Sequence, residues 1–157
     1  MTRRQWTALA LAALVVMAAL CAGCGGDTAV EMDLPSAAAQ LLAADCFTDE
    51  LTEPAEGIAL RLYQVDEADV AECLLYCSSG ATAEEIALFR ASDAAAAGRI
   101  AEACEGRIAR QTESFRSYVP EELPKLEDAV IRTEGCYVLC VVAADAAAAA
   151  AVLDGLS

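Results

Sequence analysis

From Trp6 to Leu20 the chain is uncharged and almost wholly apolar, with Arg3 and Arg4 before the run and Cys21-Ala22-Gly23-Cys24-Gly25-Gly26 after it. A membrane span needs about 20 apolar residues, and this run is shorter and lacks a basic stop-transfer cluster behind it. Residues 1–23 therefore read as a secretory signal. Beyond it the period of the apolar positions changes several times. Ser36 to Cys46, with Leu41 and Leu42 on one face, predicts a short helix capped by Ser36 after Pro35. Ile58, Leu60, Leu62 and Val65 fit a strand and a helix alike, and the polar stretch Asp66 to Glu72 predicts one helical turn.

The clearest unit follows. Cys73-Leu-Leu-Tyr-Cys77, the turn signal Ser78-Ser79-Gly80 and Glu85-Ile-Ala-Leu-Phe89 predict two strands of a hairpin. Asp93 then caps a helix in which Ile100, Cys104, Ile108, Gln111 and Phe115 recur at steps of three and four, with Arg99, Glu102, Glu105, Arg110 and Glu113 off that stripe. Pro120 and Pro124 end it. The second half repeats the plan: strand Ala129 to Thr133, turn Glu134-Gly135, strand Cys136 to Val142, and an alanine helix capped by Asp145. Ala91 to Ala97 and Ala143 to Ala149 match across an offset of 52, which makes an internal duplication of a β-hairpin–helix unit a candidate. Alanine runs also match by chance in a chain with 37 alanines. The expected fold is α+β in two layers: an antiparallel sheet of about four strands with the long amphipathic helix on one face.

The boundary at residue 24 has a sharper chemistry. Ala22-Gly23-Cys24 resembles the lipobox of bacterial lipoproteins, whose cysteine thiol is diacylated and becomes the mature N-terminus. Cys21 stands where leucine is usual. Cys24 is thus the candidate lipidation site, beside the alternative of an ordinary cleaved signal with an incidental cysteine. The organisation is then a lipoprotein signal over 1–23, an acidic tether over 24–34 and a single domain over 35–157.

Charge narrows the function classes. The 157 residues carry a net charge of −15 and no histidine. Removing residues 1–23 takes two arginines and no acid, leaving 8 Lys+Arg against 25 Asp+Glu, a net charge of −17. Eight acids and no base lie between residues 24 and 56. Such a balance opposes a nucleic-acid partner, which is held by clustered Lys and Arg. The lack of histidine removes the usual base of Ser and Cys nucleophiles and the commonest metal ligand. Glu84 and Glu85 are adjacent, so on a strand they point to opposite faces and do not make an acid–base pair. No phosphate loop and no calcium loop of D-x-D-x-D-G type is present. Tyr63, Tyr76, Tyr118 and Tyr137 read as braces of the sheet edge.

Six cysteines follow Cys24: Cys46, Cys73, Cys77, Cys104, Cys136 and Cys140. On strands, residues four apart lie about 13 Å apart, too far to share one metal ion. Buried free thiols are one reading. Disulfides are another: were the strands of Cys73–Cys77 and Cys136–Cys140 antiparallel neighbours, Cys73 would face Cys140 and Cys77 would face Cys136, and export permits oxidation.

Ser79-Gly-Ala-Thr-Ala-Glu-Glu-Ile-Ala-Leu-Phe89, the helix to Phe115, Tyr118-Val-Pro120, Lys125-Leu-Glu127 and Gly135-Cys-Tyr-Val138 together resemble family 4358 of domains of unknown function, over residues 35–155 in order. The resemblance implies a small lipoprotein of Gram-positive anaerobes and supplies no activity, cofactor or site beyond the lipid cysteine. The cysteines at 77, 136 and 140 depart from the small or apolar residues expected there. The expected function is a non-enzymatic binding or structural domain without a cofactor, lipid-anchored through Cys24 on the outer face of the bacterial cytoplasmic membrane, with an envelope protein as partner. The alternative is a module that binds a cationic solute or divalent cations through its acidic surface.

Overall fold

The computed structural model describes residues 31–156. The expected signal, the expected lipidation site Cys24 and the start of the expected tether lie outside the described residues. The first helix, α1 (Leu34–Leu42), is capped by Asp33 and not by Ser36: the Asp33 carboxylate accepts the Ser36 N–H, and Pro35 sits in the first turn, where a missing N–H costs nothing. The ambiguous stretch is helical as α2 (Ile58–Tyr63). Left-handed Gly57 and Gln64, at φ +75° and +57°, fix its two ends. The predicted turn after it is a 3₁₀ turn over Glu67–Asp69, and β1 (Val70–Cys77) begins directly behind.

β2 (Glu85–Ala91), β3 (Val130–Glu134) and β4 (Tyr137–Val142) complete one antiparallel sheet in the order β1-β2-β4-β3. The long helix α3 (Ala94–Tyr118) starts at Asp93, whose carboxylate accepts the Ala96 N–H, and lays Ala96, Ala97, Ile100 and Cys104 on the sheet. Asp93→Ala is expected to cost about 1 kcal/mol in urea unfolding, with Asp93→Asn nearly neutral. Equal losses in the two variants would place the effect in charge and not in the cap.

After a short helix α4 (Leu123–Glu127) and the β3–β4 hairpin, which turns at Gly135 (φ +58°), α5 (Ala146–Asp154) ends the chain. The α+β plan and the long helix on one face are as expected, and a third layer adds to them. Ala87 and Phe89 of β2 and Val138 and Cys140 of β4 face α2 and α3, while Ile86 and Leu88, with Tyr137, Leu139 and Val141, face α1 and α5. Strands buried on both faces read as unbroken apolar runs, as Ile86 to Phe89 and Tyr137 to Val142 do. Helices therefore cover both faces where two layers were expected.

The same placement decides the duplication. β2 and β4 run antiparallel with their hairpin partners on opposite sides, and the helices that follow them lie on opposite faces. Reversing direction, side and face together is an inversion, which no rotation performs. The two hairpin–helix units have opposite hands, so the repeat at offset 52 is shared cap chemistry, Asp93 and Asp145 each accepting the N–H three residues on.

Candidate functional site

The start of β2 carries two buried carboxylates, and strand alternation sends them opposite ways. Glu85 turns toward α3. Arg107 grips it with two bonds, Nε to Oε1 at 3.2 Å and Nη2 to Oε2 at 2.7 Å, and the Tyr63 hydroxyl donates to Oε1 at 2.6 Å. The Cys77 thiol donates to Oε2 at 3.5 Å. The guanidinium also lies 5.9 Å from the centre of the Tyr63 ring, which packs edge-on against Phe89. Burial would lower the Arg107 pKa, but Glu85 outweighs it and holds it above the ordinary value. Burial and the neighbouring Glu85 push the Cys77 thiol up to about 12, so it is neutral and unreactive at physiological pH.

Glu84 turns the other way. Its carboxylate accepts the backbone N–H groups of Thr48 and Asp49, the Thr48 hydroxyl and Lys125 Nζ at 2.8 Å. Burial alone would raise its pKa; the hydrogen bonds from Lys125, Thr48 and Asp49 outweigh that and hold it below the usual carboxylate range. Lys125 also reaches Glu122 at 2.9 Å, and Glu122 accepts the Ala83 N–H. The two networks thus tie α2, α3, the 48–49 loop and the Glu122–Lys125 turn to one strand end.

Beside them a half-open cleft of about 300 Å³ is lined by the turn from Ser78 to Thr82, by Arg107, Gln111 and Ser114, and by Phe115 and Tyr118. Tyr63, Tyr76 and Tyr137 pack into the core, whereas Tyr118 is 72 % exposed at the cleft rim. The turn is held by its own hydroxyls: Ser78 Oγ donates to the Thr82 carbonyl, and Ser79 and Thr82 donate to Asp49. The arrangement suits recognition of a polar group by Gln111, Ser114 and the edge of Tyr118. Glu85, on its floor, has both oxygens engaged.

The cysteines take other positions than the disulfide reading required. β2 lies between β1 and β4, which therefore run parallel, so Cys73 and Cys140, and likewise Cys77 and Cys136, are two strands apart, at least about 9–10 Å and farther by their offset along the strands, beyond the Cα separation of about 7 Å that a disulfide bridges. All six cysteines from Cys46 to Cys140 are free thiols. Cys104 packs in the same buried cluster as Cys140 under α3, and this neighbour and burial raise its pKa far above the ordinary thiol value. Among the described residues no group of three or more Cys, Asp or Glu side chains converges to hold a metal ion, and no helix is long and apolar enough to cross a membrane. Nothing in the sequence pattern assigns a role to Arg107 or to Lys125. Their signal was faint: each flanks an apolar stripe in a chain with few bases.

A family model described as a domain of unknown function (DUF4358) matches residues 48–143. The chain belongs to that family. The matched range holds the whole sheet, α2, α3 and every residue of the Glu84 and Glu85 networks, and it leaves out α1 and α5. No curated protein and no solved structure matches the chain.

Proposed function

We infer that the chain is a lipid-anchored, non-enzymatic binding module on the outer face of the bacterial cytoplasmic membrane, taking a protein or other envelope component as its partner. The observation that carries the reading is Ala22-Gly23-Cys24 directly behind an apolar signal and only nine residues before Asp33, where the first helix is capped. At 3.3–3.6 Å per extended residue, that chain reaches about 30 Å at most, so a diacylated Cys24 keeps the domain close to the lipid surface. The start of α1 lies beside Gly155 and Leu156, while Cys46, past its other end, accepts the Asp145 N–H. The polar cleft belongs to this second end, where Glu85 pairs with Val142. A tether at one pole and a cleft at the other suits a module that presents its binding surface away from the membrane. Binding fits the cleft better than turnover does, because both carboxylates that reach it are committed to cations and backbone donors.

Cys24→Ala in the full chain is expected to abolish incorporation of labelled fatty acid and to move the protein from the membrane pellet to the soluble fraction. Loss of one long acyl pair removes far more membrane affinity than an acidic chain regains by contact. A variant that stays in the pellet, or a wild-type chain that takes up no label, would overturn the anchor.

A further inference from the structure

β1 is an edge strand, and part of its outer rim is unpaired. The Ser78 N–H bonds the Glu84 carbonyl, so the register Cys77↔Glu85, Leu75↔Ala87, Cys73↔Phe89 marks the pairs without mutual hydrogen bonds. Alternation then turns the backbone N–H and C=O of Cys77, Leu75 and Cys73 away from β2. Those of Cys77 are taken by Thr52, whose N–H and carbonyl pair with it at 2.9 and 3.0 Å. Extending that antiparallel bridge by two residues would set Pro54 opposite Leu75. Proline has no N–H to give, so the ladder stops and the chain turns away through Gly57 at φ +75°.

The unpaired rungs at Leu75, only 3 % exposed at the back, and at half-buried Cys73 therefore line a cleft of about 330 Å³ whose far wall is the segment 53–57. A second cleft, of about 680 Å³, continues past Cys73 toward Val70. The strand itself does nothing to discourage pairing, since Cys73-Leu-Leu-Tyr-Cys77 has no charge and no proline. The opposite edge, β3, carries Arg132 and Glu134, and on β1 a bulge between Val70 and Glu72 closes the open window at one end while Thr52 closes it at the other. The rim is acidic. Glu53 and Glu56 flank the rungs and Glu67 lies beyond, all three exposed and without an ion pair among the described residues, against one cation, the exposed Arg61, on the wall of the second cleft.

We propose that the Cys73–Leu75 edge is a β-augmentation site that takes an extended peptide segment carrying lysine or arginine. Main-chain bonds to two unpaired rungs supply the pairing, and the carboxylates select the cationic side chains. A second copy of this chain is a poor occupant, because it would bring the same carboxylates against each other. The proposal rests on the binding-module reading for its purpose and not on the lipid, so the test uses full chain in detergent, with Cys24→Ala run in parallel. A labelled Lys-Val-Lys-Val-Lys-Val-Lys peptide is titrated by fluorescence anisotropy at low salt. Saturable binding is expected, with protection of the Leu75 and Cys73 amides from hydrogen exchange. Methylating alternate backbone nitrogens of the peptide removes the ladder donors and keeps the charge, and is expected to weaken binding about tenfold. The double variant Glu53→Gln/Glu56→Gln, at exposed positions, should melt as wild type and bind about threefold more weakly. Equal binding of the methylated peptide, binding of a Glu-Val counterpart, protection elsewhere, no binding to the folded chain, or occupation of the edge by a second copy would each overturn the proposal. None of these outcomes touches the anchor, which Cys24→Ala tests by itself.

Discussion

Arg107→Met is expected to lower the free energy of unfolding by about 3–5 kcal/mol, read as a shift of the urea midpoint at neutral pH. The Glu85 side chain is 4 % exposed and the Arg107 side chain 17 %, so the pair is shielded and water does not replace the guanidinium when it is removed. What remains is a buried carboxylate with only the Tyr63 hydroxyl and a thiol as donors. The net worth of the pair is smaller than this loss, because most of the loss is the stranded charge. Glu85→Gln/Arg107→Met should therefore recover a good part of it. Arg107→Lys should sit between, since one ammonium does not reproduce two parallel N–H bonds or the contact with the Tyr63 ring. A loss below about 1 kcal/mol in Arg107→Met, the value of an exposed pair, would mean that water reaches Glu85 from the cleft.

Local chemistry was legible in the chain and its long-range partners were not. The stripe of α3 was readable because period 3.6 is a local property, and Ile100, Cys104 and Phe115 are buried accordingly. Ile108, on the same stripe, is only half-buried: it lies between the cluster under the sheet and a second one of Ala83, Phe115, Leu126 and Val142. Both hairpins were readable from their turns. How two hairpins join is a separate matter, and pairing Cys73 with Cys140 set β1 beside β4. The cue against it was present, since β2 and β4 are the unbroken apolar runs and such runs belong in the middle of a sheet covered on both faces. The same cue announced the third layer. At the site, adjacency alone told that Glu84 and Glu85 diverge. Their partners stand 22 and 41 residues away, a distance over which no sequence period operates.

Lys125→Met should be comparably costly at neutral pH, about 3–5 kcal/mol, and its cost should depend on pH in a way that of Arg107→Met does not advertise. Lys125 is the cation between Glu84, whose side chain has no exposure, and Glu122. In the wild type the Glu84 carboxyl titrates below its ordinary value, so its contribution to stability is fully present above about pH 4.3, the unfolded value, and is lost as pH falls through the lower folded value. In the variant, burial and Glu122 are left without the main opposing donor, and the Glu84 carboxyl rises. Its folded form then favours the proton, and a raised group stabilises below the unfolded value and loses that effect as pH climbs. The difference between wild type and variant should accordingly be greatest near pH 7 and shrink on acidification toward pH 4, measured by urea midpoints at the two values. Wild-type Lys125, raised by the same carboxylates, contributes below about pH 10.4 and loses its effect only above it, so it does not confuse the acid limb. An equal deficit at pH 7 and pH 4 would show that the lysine acts through packing of its stem against the Glu122 turn and not through charge.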